Sequence, residues 1–350
     1  MRETIAWADR AAALGAGRGL EVPARALGFR GSARCALGDP AGLEELRAAL
    51  ALALDRGEGR DTAVRYNDLG DALLPVEGPA SVLATYRQGI EFARRRGIGE
   101  LAAAMAAGSL DRLIEVGEWD RALADAEAMA DRAEAEGNVS ELLLLRRAQV
   151  RVLVGRGQTG PARPLADWLV EAARESGGTE EVLGAFTAAA VGLLAAGEPD
   201  RALELLAEAA AWPHAAEASL YPACLPEMTR TATDAGDPTL AQRLVAPLEP
   251  TFAYHQYALC AAAAVLAEAR GRFAEAAARH GEAADRWGSF GVVPERAHAL
   301  LGRGRCLVAP LGHPGAGEPL RQARQVFAGL RAQPLAAEAD ALLGRAGTRA

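Results

Sequence analysis

The sequence predicts an all-α fold of repeated antiparallel helix pairs, and three observations predict it. Half of the residues are hydrophobic yet only 5% are aromatic. The apolar bulk is therefore Ala and Leu, the strongest helix formers, while strand-favouring β-branched and aromatic residues are scarce. A phrase of one construction also returns along the chain, as in "VGEWDRALADAEAMADRAEAEG" from residue 116, "AGEPDRALELLAEAAA" from 196, "AGDPTLAQRLVAPLE" from 235 and "RGRFAEAAARHGEAADRW" from 270. Finally, Gly38, Gly117, Gly157, Gly197, Gly236, Gly271 and Gly312 are separated by 79, 40, 40, 39, 35 and 41 residues. The first interval is two steps of about 40, with a variant turn at Glu77-Gly78 between them.

Each period holds two helices. Around Gly157, "SELLLLRRAQVRVLVGRG" has the pattern of a helix, the glycine turn stops it, and "PARPLADWLVEAARESGG" restarts with Pro161 near a helix N-terminus. First helices are expected at 24–37, 61–74, 100–116, 140–155, 180–196, 217–235, 254–270 and 295–309. Second helices are expected at 41–56, 79–96, 119–136, 161–176, 199–211, 238–249, 273–288 and 316–331. Residues 1–15 resemble a second helix lacking its first, and 335–345 a closing helix. The expected organisation is thus one repeat domain over 1–350, with a partial repeat at 1–18, helix pairs over 19–331 and a capping helix and tail over 332–350. A chain that starts inside a repeat also raises the expectation that it is the arm of a larger protein.

A single helix pair cannot bury both its apolar faces, whereas stacked pairs bury them against each other. Each Ala contributes little area at roughly 25 cal/mol per Å², so stability has to accumulate over many contacts between neighbours.

The residues resemble the tetratricopeptide repeat. Its first-helix pattern of a large residue with Leu-Gly three positions on is matched by Tyr66, Leu69 and Gly70 in "RYNDLGDALL". Its small residue five positions after the turn glycine is matched by Ala122, Ala162, Ala202, Ala241 and Ala276. Ala106 and Arg146 depart from the pattern, standing where Tyr66 does. Spacing nearer 40 than 34, with phrases such as "PERAHALLGRGRCLVAPLG", looks most like the C-terminal repeat arms of bacterial STAND-class ATPases, including LuxR-type regulators and ATPase-linked adenylate cyclases.

The resemblance implies a right-handed superhelical solenoid whose first helices line a concave groove for a protein or peptide. The family's groove-facing register falls on Asn67, Asp71, Asp111, Arg147, Arg151, Thr187, Glu227, Arg230, Thr233 and Glu268. The early positions are acidic and the middle ones basic, which suits an extended partner of mixed charge. Arg147 and Arg151, at i and i+4, share a face and could fork onto a carboxylate or phosphate; a solvated helix face is the competing reading. A small-molecule effector that enters the superhelix and shifts its pitch is the alternative to a protein partner.

Several chemistries find no sequence support. All 38 basic residues are arginine against 46 acidic ones, a net charge of −8, so there is no nucleic-acid footprint. A Walker A loop needs a lysine, and the chain has none. "GRGQTG" satisfies G-x-G-x-x-G at Gly155, Gly157 and Gly160 but follows a helix and sits at a repeat turn, so it reads as a turn. Cys35, Cys224, Cys260 and Cys306 are widely spaced, and His214, His255, His280, His298 and His313 show no paired metal spacing. No G-x-S-x-G elbow is present. The expectation is no catalytic residue, no cofactor and no metal. Carboxylate pairs such as Glu44/Glu45 and Glu180/Glu181 suit helix starts. The aromatics Trp119, Trp168, Phe273 and Trp287 read as packing, with an aromatic ligand box as the competing reading, and the group Tyr254, His255 and Tyr257 as a capped, packed helix start, with a site as its alternative. No signal peptide or membrane span is seen, so a cytoplasmic protein is expected.

Overall fold

The computed structural model describes residues 1–19, 23–311 and 314–347; Gly312 and His313 fall outside them. The fold is all-α, a helical-repeat array with eighteen α-helices, two short 3-10 turns and no strand among the described residues.

The chain divides into two compact units, Met1–Arg112 and Leu113–Ala350. The first holds α1 (Arg2–Ala16), α2 (Ala24–Ala36), α3 (Ala41–Asp55), α4 (Gly59–Glu77), α5 (Pro79–Arg95) and most of α6 (Gly99–Glu115). The second holds α7 (Trp119–Ala135), α8 (Val139–Gly155), α9 (Thr159–Ser176), α10 (Thr179–Ala195), α11 (Pro199–Ala211), α12 (Tyr221–Asp234), α13 (Pro238–Val245), α14 (Ala253–Ala269), α15 (Phe273–Phe290), α16 (Val293–Leu311), α17 (Gly317–Gly329) and α18 (Gln333–Gly347). Every expected helix is present. The largest departures have local causes: α12 starts at Tyr221 because Ala215–Glu217 form a 3-10 turn, and α13 ends at Val245 ahead of Pro247 and Pro250.

The period rests on glycine. Gly38, Gly78, Gly117, Gly157, Gly197, Gly236 and Gly271, which turn first helices into second ones, all have positive φ, from 70° to 96°. A second series, Gly57, Gly97, Gly137, Gly177 and Gly291, turns second helices into the next first ones with φ from 63° to 83°. Only a residue without Cβ adopts this conformation without cost. The small residues five positions after the turn glycines are buried: Ala122, Ala202, Ala241 and Ala276 are 0% exposed and Ala162 is 1%.

Helices approach closely where glycines meet. Gly31 on α2 and Gly42 on α3 face each other so tightly that a Cβ at Gly42 would lie 2.5 Å from the Gly31 carbonyl oxygen. On α4 the Leu69-Gly70 step leaves room for the Tyr86 ring of α5, and Tyr66 packs on Phe92 with ring centroids 6.0 Å apart. Arg146, standing where Tyr66 does, lays its guanidinium 3.8 Å from the Trp168 ring centre. A stacked cation thus occupies the aromatic's place.

In the second unit, contacts also join elements far apart in sequence, whereas a simple repeat array touches only its neighbours. The turn at Gly117 lies against Leu330 and Val293, and Gly157 against Pro334. Asp120 pairs with Arg331 at 3.0 Å, and the Tyr254 hydroxyl donates to Glu115 at 3.1 Å. The first helix pairs of this unit therefore meet its last ones. On α10 every residue from Val182 to Ala190 is buried, as expected for a helix apolar all round.

Candidate functional site

The ten positions in the groove register fall in two places. Asn67, Asp71 and Asp111 belong to the first unit; Arg147, Arg151, Thr187, Glu227, Arg230, Thr233 and Glu268 belong to the second.

In the first unit, Asn67 and Asp71 stand one turn apart on α4. Asn67 Nδ2 donates to Asp71 Oδ2 at 3.0 Å, and the Tyr86 hydroxyl donates to Asp71 Oδ1. Burial and the Asp71 charge push the Tyr86 phenol well above its ordinary value, so it remains a hydrogen-bond donor. Asp71 is exposed and Asn67 half-buried. Asp111, on α6, is buried.

In the second unit the register residues are mostly engaged with one another and with partners the sequence did not single out. Arg151 Nε lies 3.2 Å from Glu227 Oε2. Arg230 makes two hydrogen bonds of 2.6 Å to the carboxylate of Glu295 on α16. Burial alone would raise the Glu295 carboxyl, but the Arg230 charge and hydrogen bonds hold it below its usual range. Beside this pair, burial and the Arg230 charge press the His298 imidazole down to about 3. Arg147 is buried and lies across the Gly184 backbone of α10. Thr187 is 2% exposed, and its hydroxyl donates to Leu183 O in its own helix at 2.7 Å. The Thr233 hydroxyl likewise donates to Thr229 O and Arg230 O, at 3.0 and 2.8 Å.

Glu268, at the end of α14, accepts from His280 Nε2 of α15 at 3.0 Å and from Arg305 of α16 at both oxygens. Arg305 also reaches Glu338 of α18 at 2.7 Å. Burial opposes ionisation of Glu268, yet these donors pull its carboxyl down to about 2. The Cys306 thiol stands in the same group: the ligating atoms of Glu268, His280 and Cys306 all lie within 4.8 Å of one another. Burial pushes the thiols of Cys224 and Cys306 up to about 12, so both are protonated, poor nucleophiles at neutral pH.

The inner face of the second unit is therefore a packed polar interior at these positions. The aromatics are packing residues. Trp119 and Trp287 are buried, and Tyr254 sits edge-on to Trp287 and Phe290 at 5.1 and 5.7 Å. "GRGQTG" is a turn: Gly157 has φ of 77°, α9 begins at Thr159, and Gly155 makes room for Trp119, which a Cβ there would approach to 2.7 Å. Among the described residues, no helix is long and apolar enough to cross a membrane.

Sequence reasoning missed Glu295, His298, Arg305 and Glu338. A signal was present in "VLGAFTAAA" on α10, where Thr187 is the one polar residue; that stretch has no polar face to turn toward an open groove.

No family model and no curated protein matches the chain. Among solved structures it is similar to one described as a circular tandem repeat protein with novel repeat topology and enhanced subunit contact surfaces. Identity is 16% over 99% of this chain and 90% of that chain, with a TM-score of 0.28.

Proposed function

We propose that this chain is a non-enzymatic helical-repeat scaffold of tetratricopeptide type that binds a protein or peptide segment. In this reading it serves as the sensor or regulatory arm of a bacterial signalling ATPase or transcription regulator. One observation carries the reading. The register residues of the second unit are spent on internal pairs such as Arg230 with Glu295, while Asn67 and Asp71 on α4 keep access to solvent. A carboxylate and an amide one helical turn apart, steadied by Tyr86, can accept from and donate to an extended segment laid across α4. In this reading the binding face lies on α4 of the first unit. A small-molecule effector inside the second unit would meet Arg230 already paired with Glu295, so that alternative has less support.

Affinity capture with the whole chain and with an Asn67→Ala/Asp71→Asn variant tests the reading, each prey being retested as a purified protein. Loss of one specific prey at an unchanged melting temperature supports it, and undiminished binding by the variant removes it. A thermal-shift screen of metabolites and nucleotides covers the effector alternative, because a ligand of the folded form raises the melting temperature by mass action.

A further inference from the structure

The geometry points to a divalent-cation site of the zinc class formed by Glu268, His280 and Cys306 in the second unit, independent of any protein partner. The sequence hides it because the three residues lie 12 and 26 positions apart, on the successive helices α14, α15 and α16. Stacking brings a carboxylate, an imidazole and a thiol together, the three donor types that zinc accepts. Their ligating atoms lie within 4.8 Å of one another. A tetrahedral ion held at about 2.0–2.3 Å needs donors about 3.3–3.8 Å apart, so small side-chain rotations close the gap.

Three features go beyond the donors themselves. The His280 ring is slotted against the backbone of Gly302, where a Cβ would come within 2.5 Å of it, and this fixes the imidazole plane. Arg305 holds the Glu268 carboxylate at both oxygens, the kind of outer hydrogen bonding that orients metal-binding carboxylates. Around the site the carboxylates of Asp234, Glu268 and Glu338 stand among Arg230 and Arg305, so carboxylates outnumber guanidiniums there. Access exists along Arg305, whose side chain is 42% exposed beside a Glu268 that is 15% exposed.

Binding forms metal–oxygen, metal–nitrogen and metal–sulfur bonds. The Cys306 thiol proton leaves to solvent, the imidazole proton moves to Nδ1, and no electron is exchanged. Three protein ligands leave a fourth position for water. Without metal, the same residues form a hydrogen-bonded group beside Ala267, Ala276 and Ala277, which is the competing account.

The test uses the full chain carrying Cys35→Ser and Cys260→Ser, which removes the two half-buried thiols, with Co2+ as the spectroscopic probe. The expected result is about one Co2+ retained per chain after gel filtration, with thiolate-to-cobalt charge transfer and tetrahedral d–d bands. Adding Cys306→Ser abolishes the charge-transfer band and weakens binding more than about tenfold. Zn2+ raises the melting temperature of the parent and releases protons from it, and His280→Gln loses the thermal shift. Failure of Co2+ to be retained, a charge-transfer band that survives Cys306→Ser, or an unchanged parent melting temperature with Zn2+ overturns the site. These parent measurements stand even if a variant does not fold.

Discussion

Arg230 and Glu295 lie 65 residues apart in the chain and meet in a bidentate pair with two hydrogen bonds of 2.6 Å. The pair ties α12 to α16 across a mostly buried interior, so its effect depends on both partners being present. Arg230→Ala leaves the Glu295 carboxylate without its principal counter-charge and costs about 3 kcal/mol. Replacing both partners with apolar residues of similar volume, Arg230→Met with Glu295→Leu, restores most of that loss. Denaturant melts of the single and double variants measure the coupling; additive losses contradict this account.

His298 contributes a pH dependence of stability between about pH 5 and 8. Burial and the positive charges of Arg230 and Arg305 lower its pKa from 6.5 to about 3, against the opposing pull of Glu295. Below about pH 6.5 the unfolded chain therefore binds a proton that the folded chain refuses, and stability falls as pH drops toward 3. His298→Gln removes this contribution, so its stability between pH 8 and pH 5 falls by about 1–2 kcal/mol less than that of the parent. Urea midpoints across this range check the difference.

The sequence carried the repeat more fully than it carried the site. Helix starts and stops follow from Ala and Leu periodicity and from turn glycines, which are local features. Whether an inner helix face meets solvent or another repeat depends on how sharply successive pairs curl, and that is set by many small side-chain contacts. Thr187 illustrates the limit. Its register places it on the inner face, but only the stacking of the second unit makes that face an interior. Glu268, His280 and Cys306 show the same thing from the chemical side, since no spacing rule connects ligands drawn from three helices.

Gly42→Ala is a test of close helix approach. Ala is the better helix former by about 1 kcal/mol in a helix interior, so an exposed interior site such as Gly344 of α18, with nothing within 4 Å of an added Cβ, gains stability. At Gly42 the new methyl would lie 2.5 Å from the Gly31 carbonyl oxygen and 2.6 Å from Cys35 Sγ. Forcing α2 and α3 apart costs about 1–3 kcal/mol, so the two substitutions shift thermal or urea melts in opposite directions.

His214 stands at the turn where the glycine series Gly57, Gly97, Gly137 and Gly177 would place its next member, and it holds φ at 61°. A residue with a Cβ pays roughly 1–2 kcal/mol for that conformation, while glycine gives part of the gain back through the greater freedom of its unfolded chain. The imidazole contributes little in return. It is 76% exposed, and its contact with Glu217, itself 78% exposed, is 3.4 Å long. His214→Gly therefore stabilises the second unit by about 0.5–1 kcal/mol, measured as a higher urea midpoint with the helical circular-dichroism signal unchanged. A lower midpoint would mean that the imidazole does more at this turn than its exposed contact indicates.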